Sequence, residues 1–531
     1  MEKVNINDFL TGLDFAVVAL YLLVLIGIGY YYSFGRKRHT EDGDDLFMAG
    51  RSLGWSSIGF TMWGTNVGPS MLIASCGVGY TTGVVAGNFS WYAFPFIFLL
   101  AVVFAPFYKS TRVTTLPEFM GRRFNPLTRE LLAWYSLLTI LLSWLGLTLY
   151  AGGLLLAQIM DWPLYAAVIT LVLLASFFAI AGGLEAIAMT NVFQMTLLIV
   201  ASAALVGAGL YRLGDLSRLA TDVPGSYWDL LLPLDNPDYP WIAILLGYPV
   251  LGIWFWCTDQ SMVQSVLGAR DLRQGQLGTN FTAWLKILDV PLFILPGIIC
   301  FLLFPGLEDE DEAYMTMVTQ LFPSGMVGLI VAVLIAGLVS TVDSALNSLS
   351  TVFTVDIYLK RFDPDASPAR TKLIGRIVMA MGAVLAVLIA LGFQAVEGLD
   401  LFGLFQAILG YLAPPMSAVF IVAVLWRRTT ALAANTGLIA GSVLSLLVGY
   451  LQLTATPSAE FWPHFLLVSF YLFATICAII VIVTLAKPEP VQTELTLAAA
   501  YEDLDYRLDK RTLIPWSVLF GVMIVLYILF S

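Results

Sequence analysis

Apolar positions run almost unbroken through most of this chain, and short polar segments between the runs carry nearly all of its charge. A membrane helix needs roughly 20 predominantly apolar residues. That criterion predicts fourteen spans, at 13–33, 53–80, 84–108, 130–160, 163–182, 184–212, 241–266, 277–305, 324–359, 369–395, 399–426, 430–452, 462–486 and 514–530. The expected fold class is an all-α polytopic membrane protein with fourteen transmembrane helices.

Two of these runs are interrupted. The second span contains "GTNVGPSM" (64–71), and the seventh reads "WIAILLGYPVLGIWFWCTDQSM", with Gly247, Pro249 and Gly252 near its middle. A proline inside a helix removes one backbone hydrogen bond and clashes with the carbonyl four residues back, and in lipid each unsatisfied group costs several kcal/mol. Pro69 and Pro249 lie 180 residues and five spans apart. An ordinary proline kink would account for either break alone. Gly/Pro-interrupted segments at matching places in two halves are instead the sequence signature of a transporter's binding site, and an odd number of spans per half gives the halves opposite orientation. Unwinding frees carbonyl oxygens and charged half-helix ends. A hard cation takes oxygen ligands, and the carbonyls of Gly64 and Val67 are placed to supply them.

Composition narrows the class further. Of 531 residues, 59% are hydrophobic and 12% charged, which leaves too little polar surface for a soluble domain of this size. The net charge of −11 matters less than where the cations sit. When successive loops are assigned to alternate sides, 22 of the 26 Lys and Arg fall on one side, three (Lys3, Arg212, Arg218) on the other, and Lys286 lies inside a span. By the positive-inside rule this places both termini outside the cell membrane. His39 and His464 stand far apart, and the four cysteines sit in apolar runs, so neither a transition-metal site nor a disulfide framework is expected. The N-terminus shows no basic stretch before a short apolar one with a cleavage site, so no cleaved signal peptide is expected.

Five further stretches carry a resemblance: "LFMAGRSLGW", "TLPEFMGRRFN", "AGGLEAIAMTNVFQ", "WCTDQSMVQ" and "STVDSALNSLSTVFTVDIY". In order and spacing they resemble the sodium:solute symporter family, and within it the sodium/glucose and sodium/galactose cotransporters. The resemblance implies an inverted five-plus-five repeat of the LeuT type, with broken helices at 53–80 and 241–266. It divides the chain into an extra N-terminal helix and cytoplasmic loop (1–52), a first repeat (53–212), an extracellular loop (213–240), a second repeat (241–426) and C-terminal helices with a cytoplasmic linker at 487–511 (427–531). It implies Na+ as the coupling ion, with no organic cofactor. The principal ion site would comprise the carbonyls of Gly64, Val67 and Gly337 and the hydroxyls of Ser340 and Thr341. The residues agree, because Ser340, Thr341, Ser344, Asn347 and Ser348 form a polar stripe at helical spacing. Small hydroxyl residues also serve simply to let helices pack closely.

A second sodium site in some members uses an aspartate where this chain has Asn191, with hydroxyls where it has Asp343 and Ser344. The carboxylate has changed helices. Three uses of Asp343 remain open: completing a second sodium site, accepting a proton, or bonding Asn191 with no ion. An acid inside the membrane marks a functional or paired position.

The resemblance assigns substrate contacts to Asn66, Met71, Phe89, Ser90, Gly252, Trp256, Lys286 and Gln406, and an inner aromatic gate to Phe255. Lys286 must face a cavity or a carboxylate, and Asp289 is one turn away. The chain departs from the sugar carriers at three positions: Ser90 replaces a glutamate, Met71 a histidine or glutamine, and Gly252 a usually polar residue. The fourth span has no arginine of the kind that sialic-acid carriers use for a carboxylate. A sugar or polyol is the first expectation for the solute, and another small metabolite (amino acid, carboxylate or nucleoside-like) the second. Two other classes fit the sequence less well. A transporter-like sensor is disfavoured because the chain ends at Ser531 directly after its last span, with no signalling module. An intramembrane enzyme is disfavoured because there is no HExxH and no acid pair suited to acid–base work. The expected partners are the solute, sodium and the lipid bilayer, with no nucleic acid, and the chain is expected to work as a monomer.

Overall fold

Inside a bilayer each backbone N–H and C=O must find its partner within the segment, which favours helices. The computed structural model of the chain describes residues 10–35, 44–394, 401–489 and 510–530. Those residues are helical, with no β-strand among them beyond two isolated bridges, Leu53–Ala269 and Leu232–Pro240. In chain order the helices used below are α1 (Gly12–Ser33), the pair α2 (Trp55–Asn66) and α3 (Pro69–Thr81), α4 (Val84–Ser110), α5 (Pro126–Ala157), α6 (Leu164–Leu213), α7 (Trp241–Thr258), α8 (Gln260–Leu267), α9 (Leu272–Leu303), α10 (Met326–Phe362), α11 (Pro368–Phe393), α12 (Leu401–Leu425), α13 (Ala431–Leu453), α14 (Phe465–Ala486) and α15 (Lys510–Leu529). Among the described residues eleven helices are long and apolar enough to cross a membrane. Residues 1–9 and 36–43 of the expected N-terminal segment, and 490–509 of the expected linker, lie outside the described residues.

The 50-residue α6 would be about 75 Å long if straight, against a hydrocarbon core of about 30 Å. It is not straight. Gly183 takes φ 63° and ψ −159°, a conformation closed to other residues, and breaks the helix there. A Cβ at this position would lie 2.3 Å from the carbonyl oxygen of Leu46. The turn between the runs at 163–182 and 184–212 therefore depends on this glycine.

The centre of the bundle is α10, whose most apolar window is 83% buried, against 22% for α1. Its N-terminus is capped from α1: Asp14 Oδ1 accepts from the amides of Gly325 and Gly328, both at 2.7 Å, while Thr11 N–H donates to the other oxygen at 2.9 Å. These amides are among the donors that a helix start leaves unpaired.

The second span breaks where its sequence predicts. α2 ends at Asn66, Val67 (φ −90°, ψ 89°) and Gly68 are extended, and Pro69 opens α3 as its first residue. The other break does not fall at Gly247–Pro249–Gly252. Helix α7 runs through Pro249, loosens to π-helical turns over Ile253–Thr258, and stops at Asp259. The carbonyl that Pro249 orphans, Leu245 O, receives the Tyr92 hydroxyl at 3.4 Å. At Asp259 the carboxylate instead starts a new helix, accepting from the amides of Ser261 (2.9 Å) and Met262 (3.2 Å).

Candidate functional site

The break between α2 and α3 faces α10. Pro69 lacks an N–H, so the carbonyl of Thr65 loses its helical donor; the Thr341 hydroxyl fills that role at 3.2 Å and also donates to Gly337 O at 3.1 Å. A Cβ on Gly64 would lie 2.9 Å from Ser340 Oγ, and one on Gly68 3.8 Å from Thr341 Oγ1. The backbone therefore approaches the two adjacent hydroxyls at Gly64 and Gly68, and at Gly64 a side chain would collide with Ser340 Oγ. Ser340 Oγ is fully buried and has no hydrogen-bond partner, which is costly for a hydroxyl unless something polar meets it. Gly64, Gly337, Ser340 and Thr341 are thus brought together at the break, with Val67 in its unwound part. Thr65 was not expected, although its place four residues before Pro69 marks its carbonyl as the orphan.

A second polar cluster lies on the same face of α10. Asp343 is fully buried; one carboxylate oxygen accepts from Ser344 Oγ at 3.3 Å and the other has no partner. Thr65 Oγ1 donates to Ser344 Oγ at 3.1 Å, so this group adjoins the break. On α6, Asn191 is buried with neither amide atom bonded, which excludes an Asn191–Asp343 hydrogen bond in this structure. One turn on, the Gln194 amide reaches the Tyr21 hydroxyl of α1 at 3.5 Å. Tyr21 and Gln194 lay outside the sequence expectation, since no local pattern connects α1 to α6.

The third group gathers around Lys286 on α9. Its ammonium donates to Asn66 Oδ1 at 2.7 Å and to Asp289 Oδ2, and it stands 5.9 Å above the ring of Trp256. Asp289 Oδ2 also accepts from Ser90 Oγ at 2.7 Å, and Oδ1 from Trp63 Nε1 at 2.9 Å. The Lys286 and Asp289 side chains are 2% and 1% exposed, so each would be an isolated buried charge without the other. Asn66, Ser90, Trp256 and Lys286 therefore meet at one place, joined by Trp63 and Asp289.

Of the remaining expected residues, Phe255 adjoins this group through Trp256. Phe89 offers its carbonyl to the Tyr248 hydroxyl at 2.7 Å and its ring to Tyr248 and Tyr239. Phe255 packs against Trp144 and Trp256, with ring centres 5.1 and 5.0 Å away. Met71 is partly buried against the apolar core. The space a side chain would need at Gly252 is filled by the Phe96 ring, 2.5 Å from a built Cβ, so this position is packed wall. The side chain of Gln406, on α12, lies outside the described residues.

The fold is an all-helical membrane bundle like that of LeuT-fold proteins. A Na+-coupled sialic acid symporter in a substrate-bound outward-open state superposes with a TM-score of 0.78 at 18% identity, over 91% of this chain and 99% of that one. The chain belongs to the sodium:solute symporter family, whose family model matches residues 46–441. Its curated relatives include sodium/glucose cotransporter 4 of Danio rerio (30% identical, covering 84% of this chain and 73% of the relative). Human sodium/myo-inositol cotransporter 2 is also 30% identical, over 82% and 69%. The sodium/glucose cotransporter of Vibrio parahaemolyticus is 27% identical over 99% of both chains. The protein is a multi-pass membrane protein that couples sodium to the movement of a small solute.

Proposed function

We propose that this symporter imports a neutral polyhydroxylated solute, a sugar or a polyol, by alternating access around the two broken helices. The observation that carries the sodium half is the meeting of Ser340 with Gly64 and of Thr341 with Thr65 O at the break. There the carbonyls of Gly64, Val67 and Gly337 and the two hydroxyls offer the hard oxygen ligands that a small cation takes. Because the two hydroxyls and the Gly337 carbonyl come from α10 and the Gly64 and Val67 carbonyls from α2 and the break that follows it, an ion between them ties the two elements in one arrangement. The solute half is supported by the Asn66–Lys286–Trp256 group and by relatives named for glucose and myo-inositol. Amide and ammonium donors suit hydroxyl groups, and an aromatic face suits the apolar face of a ring.

In this reading the chain crosses the membrane fourteen times: α6 counts as two spans about Gly183, α2 with α3 as one and α7 with α8 as another, and the repeats are inverted. Both termini lie outside, and a single chain forms the transport path. Asp343, Ser344 and Asn191 form a second sodium site. The direct test is uptake into proteoliposomes. An inward sodium gradient should drive accumulation of a hexose or inositol, whereas potassium of equal ionic strength should not. Accumulation of an amino acid or a carboxylate under sodium, with sugars and polyols inert, would favour the second solute class. Solute uptake indifferent to sodium would overturn the coupling site.

A further inference from the structure

The carboxylate beside Lys286 stands on an unusual foundation. Asp289 is three residues further along the same helix, so the ion pair closes within one element, whereas Asn66, Ser90 and Trp63 reach it from α2 and α4. Helices that shift against one another can break the second set of contacts. Such a shift does not by itself separate the Lys286–Asp289 pair, whose residues stand three apart on α9 across the turn at Leu288, where its α-helical part gives way to a π-helical one. Ser90 donates its hydroxyl to Asp289 as well, so the carboxylate is held from α4 and from its own helix.

We propose that Asp289 sets the charge class of the transported solute. By cancelling Lys286 it keeps the site at zero net charge, so that the site admits a neutral solute and rejects an anion. Lys286 keeps a third donor, and its aliphatic stem and Trp256 offer a face, so the pair still presents hydrogen-bonding groups to hydroxyls. The inference rests on the reading of Asn66, Lys286 and Trp256 as solute contacts.

The test compares matched solutes that differ only in charge: glucose, glucuronate and glucosamine, with myo-inositol as the polyol. Binding is read by thermal shift on the purified full-length chain in sodium. Removal of the acid in Asp289→Asn leaves Lys286 uncompensated, and glucuronate should bind about tenfold tighter than to the unaltered protein, while glucose weakens. The reverse change, Lys286→Gln, should favour glucosamine by a similar factor, about tenfold. The double variant should return to a preference for the neutral solutes, because both charges are gone. A merely structural role for Asp289 would weaken all solutes together in either single variant, and that outcome overturns the proposal. So does glucuronate binding to the unaltered protein as tightly as glucose. If Asp289→Asn does not fold, Lys286→Gln and the double variant decide: absence of a glucosamine gain in the first, or charge preference persisting in the second, refutes it. Failure of the solute reading looks different, since the unaltered protein would then bind none of the four.

Discussion

Replacing Ser340 by alanine separates an ion ligand from a packing residue by the sign of two numbers. The side chain is completely buried, faces Gly64 across 2.9 Å as measured to a built Cβ, and has no hydrogen-bond partner. Removing an unpartnered buried hydroxyl relieves a desolvation cost rather than adding one, so the fold itself should be unchanged or up to about 1 kcal/mol more stable in potassium. In sodium the same change removes one of five oxygen ligands. A hydrogen-bond-scale contact to a charged group is worth about 1.5–3 kcal/mol, which converts to a loss of roughly 10–150-fold in sodium affinity. The assay is the melting temperature of the purified protein as sodium replaces potassium at constant ionic strength. Stabilisation by a ligand of the folded state grows as RT ln(1 + [Na+]/Kd), so the variant's curve should move to higher sodium by that factor. If Ser340→Ala lowers stability in potassium and leaves the sodium midpoint where it was, Ser340 is a packing residue and the site at the α2–α3 break is wrongly placed.

Three other outcomes follow from single groups. Asp343→Asn should lower the Hill coefficient of sodium-dependent uptake to about one; an unchanged coefficient with a lost pH dependence would assign Asp343 to a proton. Asp14→Ala removes a carboxylate that two amides of α10 share, and should cost about 2 kcal/mol, with faster hydrogen exchange at Gly325 and Gly328; unaltered exchange would show that the cap does not matter. His464 opens α14, where its Nδ1 accepts from Leu466 N–H at 3.3 Å and its Nε2–H donates to Asp238 O at 2.9 Å. Burial holds this imidazole below its ordinary value of 6.5, so the unfolded chain takes up the proton first. Its contribution is therefore present above the ordinary value and lost as pH falls through the window below it. His464→Gln should flatten the acid side of the stability profile, and an identical acid slope in both proteins would refute the assignment.

The sequence by itself determined the class of this protein, because hydrophobic run length is a local property set by the bilayer. The break before Pro69 was legible for a similar reason: a proline after a glycine inside such a run orphans a carbonyl whatever surrounds it. The adjacent hydroxyls of Ser340 and Thr341 and the stripe that follows were visible as helical spacing. What remained hidden is what answers each orphaned group. Pro249 reads like Pro69, and a distant hydroxyl reaches the orphaned carbonyl of each, yet the helix continues past Pro249 and stops at Asp259 instead. Lys286 and Asp289 were visible as neighbours, but not the Ser90 and Trp63 donors that fix the carboxylate. Nor could any local pattern show that Asp14 caps a helix 311 residues away, or that Tyr21 meets Gln194. Chain-local chemistry decides where a backbone or a charge needs a partner; only packing in three dimensions decides which distant residue supplies it.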